Sequence, residues 1–213
     1  MTGETARRPY DSARRQEAAR RSRAAILTAG RELLLRDGYR ATTVRAVAER
    51  AGVSPETLYK AFGGKPGLLK ALWDVTLAGD DEPLAMAQRP QLQAVLAARD
   101  THAKLRLYAA FVRGVHERLA DLAALLAQAG PDGSQVLTVS EEERMTGVSA
   151  FVAHLADTGV LSADADAARL ADSWWALTGP HLYTQLTAGR GWNTDAYEDW
   201  LTGMLLSDLQ RAT

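Results

Sequence analysis

The chain contains no cysteine. That excludes disulfide cross-links and thiolate catalysis, and fits a reducing compartment. It has four histidines, and they are scattered. The run His116-Glu117-Arg118-Leu119-Ala120 begins like the zinc-binding pattern H-E-x-x-H, but Ala120 stands where the second imidazole belongs. Paired carboxylates such as Asp164 and Asp166 read as helix-start caps, and no glycine-rich phosphate cradle is present. These absences leave little to support a helical enzyme or a metal-binding protein; no metal ligand, cofactor or catalytic residue is expected. Long apolar runs are missing too. A membrane span needs roughly 18 uncharged apolar residues, and even the Ala/Leu-rich stretch 119–129 carries Asp121. The N-terminus is rich in arginine and lacks the apolar core of a secretory leader. The expectation is a soluble cytoplasmic protein without a membrane partner. Strand-like alternation is scarce as well.

Enough apolar material is present for a real core, at 46% of 213 residues. Ala, Leu, Arg and Glu dominate, with apolar residues three and four apart, so the expected class is all-α with about nine helices. The net charge of −1 conceals an asymmetry. Residues 1–70 hold 15 of the 25 basic and 7 of the 26 acidic residues, a balance of +8; the remaining 143 balance at −9. A basic third joined to an acidic remainder points to a polyanion-facing module linked to something else.

The chain divides by its punctuation. Residues 1–16, with Arg7, Arg8, Arg14, Arg15 and Pro9, read as a flexible basic arm able to reach a minor groove or add non-specific attraction. Helices follow over 17–37, 44–50, 55–61 and 64–78, the first closed by Gly38 and the third opened by Ser54-Pro55. The stretch Gly79-Asp80-Asp81-Glu82-Pro83 marks a boundary. Beyond it, helices are expected over 84–98, 100–129, 141–157, 164–188 and 194–211, with Ser140 and Glu143 at capping-box spacing. The domains are therefore 17–63, a connecting helix in 64–80, and 81–213.

Within the first 70 residues, Gly52-Val53-Ser54-Pro55-Glu56-Thr57-Leu58-Tyr59-Lys60 joins two short helices by a glycine turn, the helix-turn-helix arrangement. Gly52 supplies positive φ, while Val53 and Leu58 plug the angle between the helices with Val47 and Ala48. Ser54, Pro55, Glu56, Thr57, Tyr59 and Lys60 point outward for a major groove about 12 Å wide. Tyr59 offers a hydroxyl to a phosphate. Lys65 offers an ammonium beside the N–H groups that open a helix at Gly63-Gly64-Lys65. Thr42 and Thr43 could add hydroxyl contacts. Glu56 either accepts from a cytosine amino group or simply suits a helix start.

The run from Arg23 to Leu69 resembles the DNA-binding domain of the tetracycline-repressor (TetR) family. The resemblance is carried by Ala24-Ala25-Ile26-Leu27, Leu33, Asp37-Gly38-Tyr39, Ala41-Thr42-Thr43-Val44, Val47 to Ser54, Thr57-Leu58-Tyr59, Phe62, Lys65 and Leu68-Leu69. It implies an N-terminal three-helix DNA-binding domain and a C-terminal helical domain that binds an effector and dimerises. It also implies repression at a palindromic operator, relieved when a small apolar effector binds. Thr42, Thr43, Tyr59 and Lys65 fall on usual phosphate-contacting positions, and Thr57 and Lys60 on the DNA-facing side of the recognition helix. Ala61 replaces a frequent aromatic or histidine. With Glu56, it is what would support a relative that has lost DNA binding.

The acidic remainder carries two further expectations. Trp73, Tyr108, Phe111, Val112, Val115, Phe151 and Trp174 are candidates to line an apolar effector cavity. His102 is the first candidate for a polar anchor, with His116, His154 and Gln185 as others. Trp175 and Leu182 on one helix, and Tyr197, Trp200, Leu201, Met204 and Leu205 on the last, are candidates to pair with their copies. Two DNA readers must sit about 34 Å apart, so a homodimer is the expected assembly.

Overall fold

A computed structural model of the chain describes residues 9–212, with side chains from residue 14. Among the described residues the secondary structure is helical, without strands. The helices are α1 (Pro9–Ala41), α2 (Val44–Ala51), α3 (Pro55–Phe62), α4 (Lys65–Ala78), α5 (Pro90–Ala97), α6 (Thr101–Gln128), α7 (Pro131–Asp157), α8 (Ala167–Leu177), α9 (Pro180–Thr184) and α10 (Thr194–Ala212). A π-turn, Gln185–Gly189, extends α9. The all-α expectation holds.

The chain forms two compact units. The first holds the residues up to Thr76 together with Asp121–Val136; the second holds Leu77–Ala120 and Leu137–Thr213. The chain thus leaves the first unit within α4, returns to it near the end of α6, and leaves again early in α7.

In the first unit, α1 carries Ile26, Leu27, Leu33 and Leu34 inward at helical spacing, all buried. Its regular part ends at Gly38, whose φ of 81° and ψ of 166° break the helix before one more turn. Ala48 and Leu58, both fully buried, fill the angle between α2 and α3. Gly52 caps α2 at φ 70°, ψ 29°, a left-handed conformation that costs glycine little, and its N–H satisfies the Ala48 and Glu49 carbonyls. Ser54 caps α3 by accepting from the Thr57 N–H, with Pro55 at the first helical position. Tyr39 donates its hydroxyl to Asp132 Oδ2 at 2.6 Å, which ties the α6–α7 turn to the end of α1.

The second unit is built around Tyr108, Val112, Phe151, Leu155, Leu170, Trp174, Tyr197, Leu201 and Leu205 from α6, α7, α8 and α10. Ahead of α5, buried Arg89 holds the boundary stretch by donating to Asp80 at 2.7 Å and to the Glu82 carbonyl.

Several expected bounds are corrected. The part of the arm from Pro9 onward is helical, since its Ala, Arg and Glu residues favour helix; Arg7 and Arg8 lie outside the described residues. The helix expected at 141 begins ten residues earlier: Pro131 occupies its first turn, where a missing N–H costs nothing, and Ser140 is a buried mid-helix residue. The helix expected over 164–188 divides at Gly179-Pro180, because proline removes a ladder donor and clashes with the preceding turn. The helix expected over 84–98 shortens to Pro90–Ala97 behind a 3₁₀ turn at Met86–Gln88.

Candidate nucleic-acid interface

The surface formed by α2 and α3 is set by which side chains the core leaves free. Val47, Ala48, Leu58 and Phe62 face inward. Helical geometry then leaves Thr43 and Arg45 exposed on α2, and Glu56, Tyr59 and Lys60 exposed on α3. Tyr59 is 56% exposed, unusual for an aromatic ring, and its edge lies over Gly64. Ser54 and Thr57 are linked through their hydroxyls at 3.2 Å, and Pro55 is half-buried. Thr43 caps α2, accepting from the Ala46 N–H at 3.1 Å, which leaves its hydroxyl hydrogen available to a phosphate. Glu56 sits in the first turn of α3. Hydrogen bonds from its own backbone N–H and then from the Ser54 hydroxyl hold its carboxyl below the usual carboxylate range. It is therefore a charged residue suited to the positive end of a helix.

Two of the expected phosphate contacts are turned inward. Thr42 is 2% exposed, and its hydroxyl is within donating distance of the Leu33 and Gly38 carbonyls, at 3.1 and 2.9 Å. It braces the end of α1 instead of facing solvent. Lys65 donates to the Tyr39 carbonyl at 2.8 Å and the Thr42 carbonyl at 3.1 Å, and its ammonium lies 4.1 Å from the centre of the Tyr39 ring. It is a staple between the start of α4 and the end of α1, with one of its three N–H groups left over. The anion cradle expected at Gly63-Gly64-Lys65 is also thinner. The Gly63 N–H is used by the Tyr59 carbonyl at 2.8 Å, and Pro66 has none.

Replacement of Lys65 by alanine is accordingly expected to act on stability. Two carbonyls lose a charged donor, and the cation leaves the Tyr39 ring. Hydrogen bonds to charged groups contribute about 1.5–3 kcal/mol, and partial exposure discounts this to about 2 kcal/mol. Urea unfolding of the two proteins measures it. An unchanged midpoint would show that the staple carries no weight.

Arg45 is an addition that the sequence reading missed. It stands in the first turn of α2, a turn without any acidic residue. A cation there opposes the helix dipole, and that local conflict is the signal by which the sequence marks it. Arg50, by contrast, is paired with Glu32 at 2.9 Å, and Arg23 lies 5.0 Å over Phe62.

The residues expected to line an effector cavity are packed instead. Tyr108 and Phe151 lie 4.3 Å apart between ring centres, Phe151 and Trp174 5.8 Å, and Tyr108 and Phe111 6.3 Å. Trp174 is fully buried and Val112 nearly so. Val115 is half-buried, His102 is exposed on α6, and Trp73 is buried in the first unit, whereas the others belong to the second.

Among the residues expected to pair subunits, Tyr197, Leu201 and Leu205 are fully buried within the second unit and have no surface to offer. Their i, i+4, i+8 row is the core face of α10. Trp175, Leu182 and Trp200 are half-buried, and Met204 is 38% exposed.

Residues 26–72 match the model of the bacterial regulatory proteins of the tetR family. The helix-turn-helix-type transcriptional regulator AlkX of Mycobacterium tuberculosis is 32% identical over 153 residues, which cover 68% of this chain and 67% of AlkX. The uncharacterized regulator YvkB of Bacillus subtilis is 49% identical over 47 residues, 22% of this chain and only 25% of YvkB. Among solved structures, FadR of Bacillus subtilis in complex with stearoyl-CoA aligns with a TM-score of 0.63 at 17% identity, covering 87% of this chain and 98% of that one. GusR of Salmonella enterica aligns with a TM-score of 0.58 at 20% identity, covering 89% and 95%. Both structures share the fold.

Proposed function

The chain belongs to the tetR family of bacterial regulatory proteins, and from that premise we propose that it is a ligand-responsive repressor which holds a palindromic operator as a homodimer in the cytoplasm. The observation that carries the reading is the α3 surface. Tyr59 and Lys60 are exposed on a short helix whose other side, Leu58 and Phe62, is fixed in the core. A ring left in water beside an ammonium fits a partner that supplies phosphates and base edges. In this reading Glu56 and Thr57 meet bases, with Ser54 and Pro55 at the helix mouth, while Thr43, Tyr59, Lys60 and Arg45 hold the backbone. Met204, Trp200 and Leu182 contribute to the partner face. The effector binds in the second unit. Its effect reaches the first through the chain that passes between them, and a coupling of about 1–3 kcal/mol changes operator affinity 5–150-fold.

Titration of a labelled duplex at increasing salt tests this. Affinity for a selected duplex should fall with a log–log slope of about −0.9 per neutralised phosphate. Lys60→Ala should leave the unfolding midpoint unchanged and flatten that slope by about one unit. A salt-independent interaction, or a Lys60→Ala protein that binds like the parent, would remove α3 from the interface.

A further inference from the structure

The break between α8 and α9 does more than end a helix. It opens a cavity of about 270 Å³ in the second unit, lined by Glu141, Arg144, Trp175, Gly179, Pro180 and His181. Its volume lies just under the roughly 300–1,000 Å³ of pockets for drug-sized molecules, which suits a ligand of about one ring. Most of the guanidinium of Arg144 is committed. It donates to the Trp175 carbonyl at 2.5 Å and to the Thr178 hydroxyl at 3.2 Å, and lies 4.7 Å from the centre of the Trp175 ring. These contacts place a cation at the C-terminal end of α8, where the helix dipole favours one. The rest of the fork is taken by Glu141, three residues earlier on α7, through Nε and Nη2. Glu141 is 38% exposed on its side chain. An ion pair so exposed is cheap to open, whereas Arg144 is held in place from the other side. Trp175 adds the face of its ring to the lining.

We propose that this cavity is the effector site of the regulator, that it takes a small carboxylate with a flat apolar body, and that Glu141 occupies the ligand's place when the site is empty. The inference rests on the effector-responsive reading above. The incoming carboxylate takes the Arg144 fork in bidentate fashion, Glu141 swings to solvent, and the ring of the ligand lies against Trp175 and Pro180. The arrangement rejects cations, because the only carboxylate in the lining is the one already paired with Arg144.

Calorimetric titration of the full-length protein with benzoate, benzamide and benzylamine is the test, without DNA present. Benzoate should bind at least about tenfold more tightly than either of the others, since only it replaces Glu141 on the fork. Glu141→Ala should strengthen benzoate about threefold or more by removing the competitor. Gly179→Ala should abolish it. Gly179 has φ −73°, open to any residue, while a Cβ there would stand 3.3 Å from the Ala176 carbonyl and 3.6 Å from Arg144 Nη2. The variant should therefore fold and narrow the site, and Ala176→Leu is a second block. Preference for benzylamine, weakening by Glu141→Ala, or no binding of benzoate would each overturn the proposal. Because the titration is read without DNA, a protein that binds benzoate but selects no duplex would retain this site and lose the operator reading. A protein that selects a duplex but ignores benzoate would do the reverse.

Discussion

Gly67→Ala should unfold the first unit at a temperature about 10 °C below the parent. Gly67 lies in the first turn of α4, three residues after the Gly63-Gly64 reversal that brings α4 back against the end of α3. A Cβ built on it would stand 1.8 Å from the Phe62 carbonyl oxygen and 3.0 Å from the carbonyl carbon. The obstruction is backbone, so no rotamer change relieves it. Either α4 shifts away from α3, or the end of α3 unwinds. Phe62, Leu68 and Leu69 are all buried, so a shift of either helix pulls apart core contacts. Overpacking that displaces backbone costs about 3 kcal/mol or more. At about 2–4 °C per kcal/mol for a chain of this length, that is a fall of about 10 °C. Thermal unfolding followed by circular dichroism measures it. A midpoint within about 2 °C of the parent would mean that the approach of the two helices is looser than 1.8 Å implies.

The same junction shows what the residues could and could not disclose. Lys65 next to two glycines reads as an anion site, because exposed N–H groups and an ammonium are what such a site needs. The structure directs that ammonium to the Tyr39 and Thr42 carbonyls, 26 and 23 residues away in sequence. No spacing rule announces a contact of that separation. Thr42 and Thr43 are adjacent and chemically identical, yet one is buried and the other exposed. Which of them faces outward depends on where α1 ends relative to α2, a matter of one residue. Local signals are reliable where the physics is local. The Ser54-Pro55 helix start, the Gly52 turn and the inward Leu58 rest on caps, positive φ and helical period, and each is found in place.

The second unit is harder to read for the opposite reason. Aromatic residues at helical spacing fit a core, a ligand wall or a subunit interface equally well, since all three reward buried apolar area. Tyr108, Phe151 and Trp174 pack on one another. Tyr197, Leu201 and Leu205, expected at an interface, keep no surface at all. Pro180 is the one local warning in 164–188. Taken at face value, it marks the break at which the cavity opens.

Between pH 7 and pH 4.5 the chain should lose about 2–3 kcal/mol of stability through one residue, His116. It lies on α6, 7% exposed. Its Nε2–H donates to the Thr178 carbonyl at 3.0 Å, and its ring stacks on Tyr183 at 5.0 Å between centres. Burial first, and the nearby Arg144 cation further, push its pKa down from the usual 6.5 to about 4, against the opposing pull of the Thr178 hydrogen bond and Glu141. In the folded chain the imidazole is therefore neutral above about pH 4, while in the unfolded chain it takes up a proton below about pH 6.5. The unfolded state binds more protons across that interval, so stability is complete above the higher value and drains away as the pH falls toward the lower one. At about 1.4 kcal/mol per unit, the interval accounts for about 3 kcal/mol when fully traversed. Carboxylates elsewhere also lose stability in acid, so the measurement is a difference. Urea unfolding of the parent and of His116→Gln at both pH values should show the parent losing about 2–3 kcal/mol more than the variant. Equal losses would mean that the imidazole takes up its proton in the folded chain as readily as in the unfolded one, and that water reaches the ring where it stacks on Tyr183.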